Sequence, residues 1–263
     1  MQRGVGCGKG GALYQGYDGV NWSAIAGAGT SNFNAIVYTL NKFIAVGAAG
    51  TVVYSTDLAT WTAATSNTTR TLNAVSSNGS LAVAVGDGGT VQTSTDGLTW
   101  TAATTVPTAA NLTGVAYAAS GIWTAVGEAG TLMTSLDGQT WTLVNTGTSA
   151  NLRGAAAMYT LNLTTFTYVY SYAVVGDSGT ILTSADGATW TAQTAGTAAN
   201  LNAIVAQPGQ WVVAGAAGTV LTSTDGVTWT RQASGTTADL LGLIYAQGQY
   251  LAVGKGGTST YSR

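Results

Sequence analysis

The 263-residue sequence contains no histidine, a single cysteine (Cys7), a single glutamate (Glu128) and two prolines, and only 7% of its residues are charged. The lack of histidine removes the usual proton carrier near neutral pH and the commonest metal ligand, so catalytic triads, dyads and His-based metal sites go with it. With one cysteine no intrachain disulfide can form, and the fold must stand on packing. The five arginines and three lysines are scattered and the net charge is −2, which leaves no electrostatic footprint for nucleic acid or an acidic membrane. No apolar run reaches the length of a membrane-spanning helix, and residues 1–11 lack the apolar stretch of a secretory signal. The expectation is a chain that neither inserts into a membrane nor is exported by a signal of its own.

What remains is apolar and small: 46% hydrophobic residues, with 37 glycines and abundant Ser, Thr and Ala. That composition packs, unlike a charge-rich disordered chain. A repeat organises it. The pattern S-x-D-G-x-T-W occurs at residues 94–100, 135–141, 184–190 and 223–229, with variants at 16–22 and 55–61. Its aspartates are Asp18, Asp57, Asp96, Asp137, Asp186 and Asp225, spaced by 39, 39, 41, 49 and 39 residues. Its tryptophans are Trp22, Trp61, Trp100, Trp141, Trp190 and Trp229. Seven residues before each aspartate stands the second glycine of a G-x-x-G pair, and a seventh pair, Gly254/Gly257, has no such box after it.

One period, residues 200–237, holds four β-rich runs at 201–205, 211–214, 219–222 and 228–232, each bounded by turn residues. Four short strands per period near forty residues is the signature of a propeller blade. The expected fold is therefore all-β, a single propeller of four-stranded antiparallel blades spanning residues 1–263. Six first-strand copies, near Ala35, Ala74, Gly114, Gly154, Ala203 and Gly242, favour six blades over seven. In the six-bladed reading residues 20–25 close the ring as the fourth strand of the last blade. The seven-bladed alternative leaves the first and last blades incomplete.

The S-x-D-G-x-T-W element resembles the Asp-box, or BNR repeat, of sialidases, sortilin-type receptors and photosystem II assembly factors. In that family the box is a hairpin between the third and fourth strands of a blade, and the resemblance implies a structural role for its Asp and Trp. The chemistry agrees: an Asp side chain accepts from backbone N–H groups ahead of it, the next Gly supplies a positive φ, and Trp buries a large surface. Asp57 is followed by Leu58, so that turn is expected to be built differently.

Sialidase-type hydrolysis needs paired carboxylates or a Tyr–Glu nucleophile and an arginine cluster, and one glutamate with dispersed arginines does not supply them. The sequence thus reads as a non-catalytic binding or structural module without cofactor or metal. Asp87, Glu128 and Asp177 follow the first glycine of the pair in three successive copies, an acidic arc across neighbouring blades open to a cation or basic partner, or simply acidic residues in exposed turns.

The 49-residue spacing marks an insertion between the first and second strands of one blade. There Phe166, Tyr168 and Tyr170 alternate along an extended segment, a candidate partner-binding stripe whose alternative is packing on the adjacent blade. The Ser/Thr/Gly/Ala-rich, lysine-poor composition resembles bacteriophage virion proteins. It points to a virion-surface, capsid-decoration or tail-associated protein that contacts neighbouring subunits or a host glycan. The location implied is a virion or extracellular surface, with the cytoplasm as alternative. A protein-binding propeller like the photosystem assembly factors is the second reading.

Overall fold

The computed structural model describes residues 4–17, 21–246 and 248–262, and they form seven antiparallel sheets, one per blade of a single propeller. Blades 2 to 6 have four strands each, joined by hairpins in sequence order, as in Leu201–Gln207, Gln210–Gly215, Val220–Ser223 and Thr230–Gln232 of blade 6. First strands of successive blades touch one another around the centre. The second strands carry the densest core: every residue of Ala82–Gly86 and of Trp123–Gly127 is buried.

Two expectations are corrected. The ring has seven blades, because the first and last are both incomplete. Blade 1 comprises Gly4–Cys7, Leu13–Gly16 and Trp22–Ile25, equivalent to second, third and fourth strands, since Gly4–Cys7 leads into the first glycine pair. Blade 7 comprises Leu240–Ala246, Gln249–Gly254 and Ser259–Tyr261, the first three. Counting first strands alone misses blade 1, which has none. Nor do residues 20–25 complete the last blade: Trp22–Ile25 pairs with Leu13–Gly16 inside its own sheet.

The blades interlock through the glycine pairs. Each pair flanks a single 3₁₀ turn between second and third strands, and the turns of blades 1 to 6 pack on the first strand of the following blade. Gly130 N–H donates to the Ala150 carbonyl of the next blade at 2.9 Å, and a Cβ built on Gly130 would lie 1.9 Å from the Thr148 carbonyl oxygen. The second of the two residues between the glycines is capped across the same joint. Ala129 N–H donates to Asn151 Oδ1, Ser178 N–H to Asn200 Oδ1 and Ala217 N–H to Asp239 Oδ1, at 2.9–3.0 Å. Closer to the axis, the side chains of Asn34, Asn73 and Asn202 donate to the carbonyls of Leu72, Leu112 and Leu240 in the next blade. Backbone groups that would otherwise be orphaned in tight turns thereby hold each blade to its neighbour.

Gly130→Ala should cost about 3 kcal/mol or more, combining left-handed strain at φ +71° with overlap on the Thr148 carbonyl. At Gly257 no described residue lies within 4 Å of such a Cβ, and Ala there should cost only the left-handed penalty of about 1–2 kcal/mol. Denaturant midpoints of the two variants would test this, and equal losses would contradict the interlock.

Candidate functional site

The boxes supply the first candidate residues. In blade 3 the Ser94 hydroxyl donates to Asp96 Oδ1 at 2.9 Å and accepts from Gly97 N–H at 2.8 Å, while Leu98 and Thr99 N–H donate to Asp96 Oδ1 at 2.7 and 2.9 Å. The same four bonds recur around Asp57, Asp137, Asp186 and Asp225, whereas Asp18 lies outside the described residues. These backbone donors hold all five carboxyls below the usual range, Asp186 and Asp225 down to about 2. A carboxylate fixed in that way is a poor acid or base at neutral pH.

Leu58 makes the same turn as the glycines, a correction to the expectation of a different one. It adopts φ +65°, keeps every box hydrogen bond, and buries its side chain with Leu13 and Phe33. The burial of a whole leucine offsets the left-handed strain.

The box tryptophans wedge between consecutive blades. Trp100 packs among Ile44, Val46, Val52, Leu72 and Ala84 of blades 2 and 3. Their depths differ: Trp100 and Trp141 are buried, whereas Trp22, Trp61, Trp190 and Trp229 are half-buried. Over the two buried ones the chain leaving the previous blade forms a parallel bridge, Thr65 to Thr99 and Thr105 to Thr140.

The acidic arc is not gathered into a site. Among the described residues no three His, Cys, Asp or Glu side chains group closely enough to hold a metal ion. Asp87 accepts from Asn73 Nδ2 at 2.9 Å, and Asp177 accepts from Arg153 Nε and Asn151 Nδ2. The Arg153 guanidinium holds the Asp177 carboxyl below its ordinary value. Glu128 is exposed on the intervening blade.

The insertion is a long hairpin in blade 5, Leu152–Asn162 paired with Thr167–Gly176. It rises where first-to-second-strand turns and boxes emerge, opposite the glycine-pair turns, because successive hairpins of an antiparallel blade alternate between its two ends. Tyr159 pairs with Tyr170 and Leu161 with Tyr168, which puts all four on one face. Tyr168 stands edge-on to Tyr159 with ring centres 5.2 Å apart. Tyr168 is 58% exposed, Leu161 47% and Tyr159 42%, so this face does not pack on a neighbouring blade. Tyr170 is half-buried at its foot.

Phe166 does not continue the stripe. It lies in the turn with φ +52°, its N–H donating to the Asn162 carbonyl, and its ring is 78% exposed at the tip. Tyr159 and Leu161 are absent from the stripe read in sequence. The signal that finds them is the pairing register of the two strands, not alternation along one.

Beneath the hairpin, between blades 5 and 6, a cleft of about 410 Å³ is lined by Tyr172, Ser184, Asp186, Trp211 and Asp225. Tyr172 itself is core: it packs on Trp190 and shares a 2.6 Å hydrogen bond with Ser120.

No protein-family model matches the chain, and no curated protein matches it in sequence. Among solved structures it is similar to YCF48 bound to D1 peptide, with a TM-score of 0.77 and 18% identity over 99% of this chain and 87% of that one. It is similar to YCF48 from Cyanidioschyzon merolae, with a TM-score of 0.75 and 17% identity over 98% and 91% of the two chains. The WD40 propeller domain of Doa1 superposes with a TM-score of 0.77 at 10% identity, over 98% and 88%. At these identities the likeness shows the propeller fold.

Two measurements test the boxes. A carboxyl whose pKa is lower in the folded chain contributes stability above its ordinary 3.8, and that contribution is lost as pH falls toward the folded value of about 2. The urea midpoint should therefore drop between pH 3.8 and 2, and a flat profile there would contradict the box geometry. Leu58→Gly should destabilise by about 1–3 kcal/mol, because the lost leucine packing exceeds the strain relieved. A stabilised variant would show that strain dominates.

Proposed function

We propose that this chain is a non-catalytic, protein-binding propeller that engages its partner through the aromatic hairpin of blade 5. The observation that carries this reading is the exposed face of Tyr159, Leu161, Tyr168 and Tyr170 with Phe166 at its tip, on the one blade that departs from the repeat. Exposed apolar surface of this kind on a rigid two-stranded support is the usual material of an interface anchor, since Tyr supplies large area at low entropic cost.

A protein suits it better than a glycan. The hairpin's only charge, Arg153, is engaged at its base by Asp177, and Asn162 Oδ1 accepts from Thr164 and Thr165 N–H in the turn. Leu161 shares the face of the rings and Leu163 is exposed in the same turn as Phe166, apolar surface that suits hydrophobic side chains of a polypeptide. The likeness in fold to YCF48 bound to D1 peptide supports the assembly-factor type of reading, a propeller that holds a polypeptide segment. The virion reading rests on composition, and nothing in the structures named above adds to it. The carboxylates of the clefts beside the hairpin are committed to backbone turns, which supports a role without catalysis.

Peptides selected from a displayed library on the immobilised protein would test the reading. The variant Y159S/Y168S/F166S should keep the melting temperature within a few degrees and weaken the selected peptides by about thirtyfold or more, as loss of an interface aromatic does. Unchanged affinity, or a large fall in melting temperature, would overturn it.

A further inference from the structure

Charge is divided unequally between the two rims of the ring. The rim that carries the boxes and the blade 5 hairpin holds Asp57, Asp96, Asp137, Asp186 and Asp225, all exposed, and Lys42 is the one basic residue there among the described residues. The opposite rim mixes signs: Arg70, Arg153 and Lys255 stand among Asp87, Asp177 and Asp239, and both ion pairs found among the described residues are made there. No described box carboxylate has a basic partner among the described residues.

The aromatic face of the hairpin is turned toward one part of the acidic rim. Tyr172 lies on the same strand face as Tyr170 and Tyr168, and its hydroxyl meets Ser120 of blade 4, so the rings above it look over blade 4. The other face, which starts from Met158 packed near Trp211, is turned toward blade 6.

On the blade 4 side a cleft of about 420 Å³ between blades 4 and 5 is lined by Asp137, Asp186, Ile122 and Leu136, and Leu136 is 80% exposed. It combines two carboxylates with apolar side chains and contains no base. The backbone donors of both boxes converge on Oδ1, at 2.8 Å. Those donors hold the carboxyls below the usual range and leave their net charge uncompensated, so the cleft is anionic at neutral pH. The hairpin's own Arg153 does not reach it, being engaged by Asp177 on the opposite rim.

We propose, resting on the hairpin as the docking element, that its occupant is a basic polypeptide segment in which an arginine adjoins an apolar side chain. The apolar side chain packs on Tyr159, Leu161 and Tyr168, and the guanidinium enters the cleft between blades 4 and 5 to meet Asp137 and Asp186. Arginine fits both halves of this surface, because its planar guanidinium takes carboxylate oxygens in pairs, stacks on aromatic rings and is weakly hydrated. An acidic segment would meet unpaired charge of its own sign along the same rim. Complementarity of sign therefore selects the partner, while the rings supply the apolar contact.

The probes are the peptides that the immobilised protein selects from a random displayed library, resynthesised and titrated in physiological salt, where exposed charges farther apart than about 8 Å are largely screened. They should share an arginine beside an apolar residue, and replacing that arginine by glutamine should weaken binding about tenfold. Thr142→Lys, at an exposed strand position lining the cleft, adds a cation there without touching a box hydrogen bond and should also cost about tenfold. Thr191→Lys makes the same charge change in the cleft on the far side of the hairpin and should cost less than about threefold. Selection of neutral or acidic peptides, a glutamine exchange without effect, or equal losses from the two lysine variants would overturn the proposal. If such peptides still lose affinity for Y159S/Y168S/F166S, the hairpin function stands without it, whereas peptides indifferent to that variant would overturn both. Self-association of the protein that the hairpin variant abolishes would assign the face to a second copy of the chain and overturn the proposal as well.

Discussion

Close backbone contact at the glycine pairs is the constraint on which the rest of the molecule depends. A blade of four short strands cannot bury both its faces, and stability in such an array comes from neighbour against neighbour. In this chain the lead-in loop of one blade lies so near the turn of the previous one that a side chain cannot fit between them. Only glycine tolerates both the left-handed backbone and that approach. The Asn caps and the wedged tryptophans act across the same joints, so each blade is positioned by its predecessor's turn, its own side-chain cap and its own indole. Charge contributes little: two ion pairs, Arg153 with Asp177 and Lys255 with Asp239, are found among the described residues.

A scaffold fixed at its joints leaves its hairpin ends free to vary. Blade 5 uses this freedom, extending its first two strands well beyond those of blade 4 without disturbing the buried register of Ala173 to Val175 below. The aromatic face of the extension is held by cross-strand pairing and not by burial. It can therefore present rings to solvent while the foot, at Tyr172 and Ser120, stays locked to blade 4. The boxes belong to the scaffold: Oδ1 of each described box carboxylate is held by the backbone donors of its own turn.

Much of this was legible in the sequence because the physics is local. The box turn, the glycine pair and the four-strand order are written in residues a few positions apart, and the insertion stands out as the one break in spacing. What was not legible depends on relations between distant residues. Blade number follows from which strands the first and last sheets lack, and a count of Ala35-type first strands cannot see a blade that has none. Leu58 in a left-handed turn is decided by the pocket of Leu13 and Phe33 beneath it. Tyr159 and Leu161 join the aromatic face only through the register with Tyr170 and Tyr168. The depth of each tryptophan is set by whether the preceding blade's exit bridges over it, as at Thr65 and Thr105.

The central claim is that loop-to-glycine joints hold the ring. Residue-resolved amide exchange tests it most directly. The N–H groups of Gly89, Gly130, Gly179 and Gly218, which donate into the following blade at 2.8–2.9 Å, should be among the slowest in the molecule. Rapid exchange at the four would contradict the account.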